Sequence, residues 1–191
     1  MQKVSRTPGC AEVRPTRRFT TRHIARFILL ALYTGTRLDA VLGASFVKTP
    51  GMGWIDLEKG IFHRLREGKT ETNKRQPPAR IPDRLLHHLR RWHRLGISKR
   101  AVIEWNGKPI TTSVKTGFGR VVREAGLDKH VTPHTLRYTA ATWLMNAGHD
   151  AYQVSGFLGM SPKILDSTYA KHHPDYQREM KGAFGRTRVS K

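Results

Sequence analysis

The strongest constraint on the fold is a change of hydrophobic period part-way along the chain. Thr20 or Thr21 can cap a helix that carries Ile24, Phe27, Ile28 and Ala31, the i, i+3, i+4, i+7 face of an amphipathic helix. Gly35 ends it, and a second helix is expected from Thr36 to about Gly43. From 46 to 82 the helical period disappears. Gly51, Gly53, Gly60 and Gly68 punctuate short segments at 53–57, 61–66 and 79–82, the pattern of a small antiparallel sheet with a long basic turn between its last two strands. Pro77 and Pro78 suit only an edge or the start of a strand. Helical patterning then resumes at 83 to about 95, with Leu85, Leu86, Leu89 and Trp92 on one side. It continues at 112–125, 133–147, 150–158, 162–171 and 174–183, while 97–111 fits neither period. The expected fold class is therefore mainly α with one small antiparallel β-sheet (α+β).

Charge narrows the partners. Lys and Arg number 35 against 14 Asp and Glu, a net charge of +21, which points first to a polyanion such as nucleic acid. The longest apolar run, 27–33, is far too short to span a bilayer, and the N-terminus has no apolar signal region, so no membrane partner is expected. Cys10 is the only cysteine, which excludes a disulfide framework and a cysteine metal site and suits a reducing cytoplasm. His87, His88 and His93 lack the i, i+4 spacing of a helical metal pair. Arg90, Arg91 and Arg94 beside them would repel a cation, so the patch reads as a basic helix face that can touch a DNA backbone.

Four short stretches carry possible chemistry. In Thr132-Pro133-His134-Thr135-Leu136-Arg137, Thr132 is a good N-cap and Pro133 suits the first helical position. His134 and Arg137, three apart, share a side of the first turn, and free N–H groups beside a His and an Arg suit a phosphate. An apolar face of Leu136, Ala140, Trp143, Leu144 and Ala147 follows. In Thr34-Gly35-Thr36-Arg37-Leu38-Asp39, Thr36 and Asp39 have capping-box spacing, and Arg37 projects from a helix start. The turn 69–75 offers Lys69 and Lys74, either of which can reach a phosphate in a DNA-binding protein. Finally, Leu158-Gly159-Met160-Ser161-Pro162 is followed by Ser167-Thr168-Tyr169. Ser161 can cap the helix that Pro162 opens and that carries Tyr169.

Each stretch alone has an ordinary structural reading; their order and spacing do not. Thr-Gly-x-Arg, a hairpin lysine, His-x-x-Arg, Leu-Gly-x and then a tyrosine resemble the active-site series of the tyrosine recombinases of the phage integrase kind. The gaps of 23 residues from Arg137 to Met160 and 9 from Met160 to Tyr169 match the family's usual spacing. The resemblance covers roughly 20–180. It implies a catalytic domain over 19–185, a basic tail or linker remnant at 1–18, a short tail at 186–191, and the absence of the N-terminal core-binding domain that members usually carry.

The activity implied is site-specific DNA strand exchange, independent of metal, ATP and any cofactor. Tyr169 is the implied nucleophile, forming a 3′-phosphotyrosyl link. Arg37 and Arg137 are implied to hold the nonbridging oxygens, and His134 to move a proton or hydrogen-bond the phosphate. The hairpin lysine, Lys74 or alternatively Lys69, would protonate the leaving 5′-oxygen. Two positions depart from the family pattern. Met160 stands where His or Trp is usual and cannot donate to phosphate. Ala40, three after Arg37, stands where an acid is common. The implied partners are double-stranded DNA, further copies in a tetramer on DNA, and accessory DNA-bending proteins, with 174–191 as the segment exchanged between copies. A type IB topoisomerase shares the tyrosine chemistry, but the Leu-Gly-x to tyrosine spacing favours the recombinase. A DNA-binding module that has lost catalysis has only Met160 and Ala40 in its support.

Overall fold

The structure, a computed structural model, describes residues 21–71, 75–110 and 112–169 together with the strand segments 4–5 and 14–15; at 168 and 169 it describes helix backbone. The elements in chain order begin with β1 (Val4–Ser5), β2 (Arg14–Pro15), α1 (Arg22–Thr34), α2 (Leu38–Leu42), β3 (Ala44–Ser45), β4 (Gly53–Asp56), β5 (Ile61–His63) and β6 (Ala79–Arg80). They continue with α3 (Asp83–Arg94), β7 (Glu104–Trp105), β8 (Lys108–Pro109), α4 (Lys115–Glu124), α5 (Pro133–Asn146), α6 (Ala151–Leu158) and α7 (Pro162–Tyr169). The mainly helical class with a small sheet is what the periodicity predicts.

Helix α1 is the hub. Ile24, Phe27, Leu30 and Ala31 are buried along it, and it packs on α2, α3, α4 and α5. Its neighbours supply Leu85, Leu86 and Leu89 from α3 and Phe118 and Val122 from α4, which join Ile55 and Phe62 of the sheet in one apolar cluster. Burying such side chains contributes about 1.5–3 kcal/mol each. A second, smaller cluster of Ala141, Val154, Leu158 and Leu165 holds α5, α6 and α7 together, with Met160 packed on its edge. The two clusters meet where α1 ends, and that junction places the site.

The three expected strands form, each shorter than the segment that predicts it. β4 pairs antiparallel with β5 (Ile55 opposite Phe62) and β5 with β6 (Phe62 opposite Ala79). A fourth strand was not legible: β3 adds to β4 in parallel, Ala44 opposite Gly53. It is two residues long, too short to show alternation. The stretch 97–111 proves to hold a hairpin, β7–β8, joined by Asn106 (φ 51°) and Gly107 (φ 75°). Two consecutive positive φ values are what an Asn-Gly hairpin turn requires. The pair β1–β2 falls within 1–18, where a tail or linker was expected. The helix expected at 174–183 lies outside the described residues.

Two local expectations are corrected. α2 begins at Leu38, with Arg37 at the cap and no side-chain capping bond. Thr36 is buried and its hydroxyl bonds that of Thr34 at 2.6 Å, so it is not free to cap. Asp39 pairs instead with Arg66 of the sheet side. On α5 the buried positions are Arg137, Ala140 and Ala141, while Trp143 is 53% exposed. Close packing of α5 on α1 selects the alanine face, and the bulkier Trp143 is turned outward.

Candidate active site

The site is built on two glycines. Gly35 stops α1 in the left-handed conformation (φ 57°), and a Cβ there would fall inside the Leu158 side chain. Gly159 stops α6 the same way (φ 64°); a Cβ there would lie 2.6 Å from the Arg75 carbonyl oxygen and 2.7 Å from Pro77 Cδ. Only glycine meets both the φ and the space. These two turns bring the ends of α1 and α6 against each other and against the chain returning to β6.

Two guanidiniums then converge on one backbone oxygen. Arg37 donates from Nη2 to the Gly159 carbonyl at 2.8 Å and from Nη1 to the Arg75 carbonyl at 2.7 Å. Arg137, 4% exposed on the first turn of α5, donates from Nη1 to the Gly35 carbonyl at 2.6 Å and from Nη2 to the same Gly159 carbonyl at 3.5 Å. Thr36, Arg37, Ala40, Arg64, Arg137 and Leu158 line one small recess between them. A guanidinium carries five N–H donors, so each arginine keeps donors for an incoming anion after meeting these carbonyls. Burial, and next the Arg37 charge, push Arg137 down to about 10. Burial also lowers Arg37. Such a pocket of like charge is stabilised by a bound anion.

His134 stands on the first turn of α5, three residues before Arg137. Its ring meets that of Tyr138 edge-on, centroids 4.7 Å apart. Burial, then the charges of Arg137 and Arg37, hold it below the ordinary histidine value, which favours the neutral ring. The helix start that carries it is fixed by Pro133 at the first position and by the Thr132 N–H bonding Thr135 Oγ1 at 3.0 Å.

The remaining expected residues divide by placement. Met160 follows the αL turn, its N–H bonded to the Ser155 carbonyl at 3.0 Å, its side chain packed on the second cluster. Ser161 accepts from the Ile164 N–H at 3.3 Å and so caps α7 as expected. Tyr169 is the last residue of α7; its side chain lies outside the described residues. Lys69 is exposed on the turn leaving β5, and Lys74 lies outside the described residues. The segment 174–191, expected to be exchanged between copies, also lies outside them.

One member of the cluster escaped the sequence reading. Arg64 is 2% exposed, and burial together with the charges of Arg137 and Arg37 pushes it down to about 9. The signal was present: Arg64 stands two residues after the core residue Phe62, the spacing that returns a strand side chain to the same face.

Residues 16–175 match the phage integrase family over most of the chain. The chain belongs to the phage integrase family. A tyrosine recombinase XerC of Chlamydia caviae is 28% identical over 135 residues, 63% of this chain and 43% of that protein. A tyrosine recombinase XerC of Listeria monocytogenes is 35% identical over 81 residues, 36% of this chain and 27% of that protein. The chain thus spans less than half the length of the curated relatives it matches. Among solved structures, XerA recombinase aligns with a TM-score of 0.60 at 20% identity, covering 86% of this chain and 63% of that one. The Tn1549 transposon integrase in complex with transposon right end DNA aligns with a TM-score of 0.63 at 20% identity, covering 83% and 57%. These likenesses establish the fold of this integrase-family domain.

Proposed function

We propose that this chain carries, over 19–185, the catalytic domain of a site-specific DNA recombinase that cuts and rejoins DNA through a 3′-phosphotyrosyl intermediate. The observation that carries the reading is the convergence of Arg37 and Arg137 on the Gly159 carbonyl, ten residues before Tyr169 on the next helix.

In the proposed reaction the Tyr169 hydroxyl attacks the scissile phosphorus, the bond from phosphorus to the 5′-oxygen breaks, and Lys74 or Lys69 gives that oxygen its proton. Arg37 and Arg137 hold the nonbridging oxygens as charge builds on them, fixed in advance by the backbone carbonyls they already bind. The proton that Tyr169 loses passes to His134 or, where His134 bonds the phosphate instead, to solvent. Attack by a 5′-hydroxyl of another strand reverses the step. The phosphodiester energy stays in the protein–DNA link, so the exchange needs no ATP, and the guanidiniums supply the positive charge a metal would otherwise bring. Met160 packs in place of a donor at its position, leaving the phosphate to the two arginines and His134.

The net charge of +21 supports double-stranded DNA as the partner, in the cytoplasm. Assembly as a tetramer on the DNA, with accessory bending proteins, belongs to the same proposal. Covalent trapping tests it: incubation with a nicked suicide duplex pool of randomised core sequence, without metal or ATP, then a denaturing gel. A protein–DNA band lost in Tyr169→Phe is expected. No band from wild type, with DNA binding intact, would overturn the reading.

A further inference from the structure

Arg64 has no role in the reaction as described above, yet it lies inside the site. It donates from Nη1 to the Phe157 carbonyl and from Nη2 to the Thr34 carbonyl, each at 2.6 Å. Its guanidinium carbon sits 5.2 Å from the centroid of the Phe157 ring. Nε is buried without a partner, and no carboxylate pairs with the group, among the described residues. A buried guanidinium beside two like charges is costly to keep, and an apolar side chain of similar length would fill the same space without that cost.

The two carbonyls explain what the charge does there. Thr34 ends α1 and stands three residues before Arg37; Phe157 stands two residues before Gly159 at the end of α6. Arg64 therefore clasps the two backbone segments whose spacing sets the grip of both arginines on the Gly159 carbonyl. A planar fork is suited to bind two carbonyls at once, whereas a lysine offers a single point of contact.

We propose that Arg64 is a positioning residue of the strand-cleavage site: by holding the Thr34 and Phe157 carbonyls it fixes Arg37 against the Gly159–Met160 turn, and its charge strengthens the attraction for the scissile phosphate. This rests on the recombinase reading given above. Displacing a reacting group by about 1 Å can cost about 100-fold in rate, and that is the loss expected for Arg64→Met.

The test compares wild type, Arg64→Met and Arg64→Lys in single-turnover cleavage of the suicide duplex, with affinity for the same duplex measured in parallel. Poor folding lowers the amplitude of covalent product but leaves the rate constant of the folded molecules unchanged. The positioning role lowers the rate constant, with DNA affinity within about threefold, and Arg64→Lys recovers part of it. A wild-type rate constant in Arg64→Met overturns the inference. Should Arg64→Met not fold, Arg64→Lys decides: about a tenfold slower rate is expected, and an unchanged rate overturns. If wild type itself forms no covalent product, the recombinase reading fails, and the Arg64 claim is decided by titrating inorganic phosphate. The readout is then the Nε–Hε resonances of Arg37 and Arg137. Affinity about tenfold weaker in either variant supports the claim; equal affinity overturns it.

Discussion

Replacing Gly159 by alanine perturbs the site with a single methyl group. At φ 64° an alanine carries the left-handed penalty, about 1–2 kcal/mol. Its Cβ would also stand 2.6 Å from the Arg75 carbonyl oxygen and 2.7 Å from Pro77 Cδ. Both are parts of the backbone or a proline ring, so neither can move aside by changing rotamer. The chain returning to β6 must retreat by about 1 Å to restore van der Waals contact. Overpacking of this kind adds about 1–3 kcal/mol, giving a total loss of about 2–5 kcal/mol. The Arg75 carbonyl is also a partner of Arg37, so the retreat moves the Arg37 side chain as well. Cleavage of a suicide duplex by the folded fraction is then expected to fall about 100-fold. Gly156→Ala is the control. That glycine lies within α6 with nothing within 4 Å of a Cβ, so alanine there should stabilise by about 0.5–1 kcal/mol and leave cleavage unchanged. Urea unfolding and single-turnover trapping on the three proteins measure both quantities. Gly159→Ala within about 0.5 kcal/mol of wild type, cleaving at the wild-type rate, would refute the packing argument.

Three other outcomes are expected. DNA affinity should fall steeply with salt, by about 1,000-fold or more between 50 and 200 mM if six or more phosphates are contacted; a flat response would contradict a polyanion partner. His23 and His134 both have folded values below 6.5, chiefly from burial. Below that pH the unfolded chain binds the proton first, so stability falls as the pH drops through the folded values and is restored above 6.5. The urea midpoint should therefore drop between pH 7.5 and 5, and drop less in the His23→Asn, His134→Asn double variant. Glu104 is buried and its carboxylate accepts from the backbone N–H groups of Lys99, Arg100 and Ala101 at 3.4, 3.0 and 2.9 Å. Glu104→Ala strands those donors and should cost about 2–4 kcal/mol in urea unfolding; a loss under about 1 kcal/mol would show that water replaces the carboxylate.

The helices were legible because their signals are local. Ile24, Phe27 and Ala31 mark α1, Thr132-Pro133 marks the start of α5, and Gly35 and Gly159 mark two ends. The same glycines and Arg37 and Arg137 outlined the site by order along the chain, and the structure brings them together. What was not legible depends on contacts between distant segments. The parallel strand β3 is two residues long and is defined only by its partner. Asp39 turned to Arg66 rather than to a cap because the sheet lies within reach, which spacing on a helix does not reveal. Its apolar character marks Trp143 as core, but α5 turns Ala140 and Ala141 inward and leaves Trp143 exposed. A lone arginine at a strand end is ordinarily solvated, so residue type alone gives Arg64 no mark. Its parity with Phe62 could have marked it as buried.

The central claim is that Tyr169 becomes the bond to DNA, and locating the adduct tests it most directly. Covalent protein–DNA product would be digested with nuclease and protease, and the peptide bearing the residual nucleotide sequenced by mass spectrometry. The account predicts a single modified peptide with the nucleotide on Tyr169, and none from Tyr169→Phe. A nucleotide on another residue, or adduct that persists in Tyr169→Phe, would contradict it.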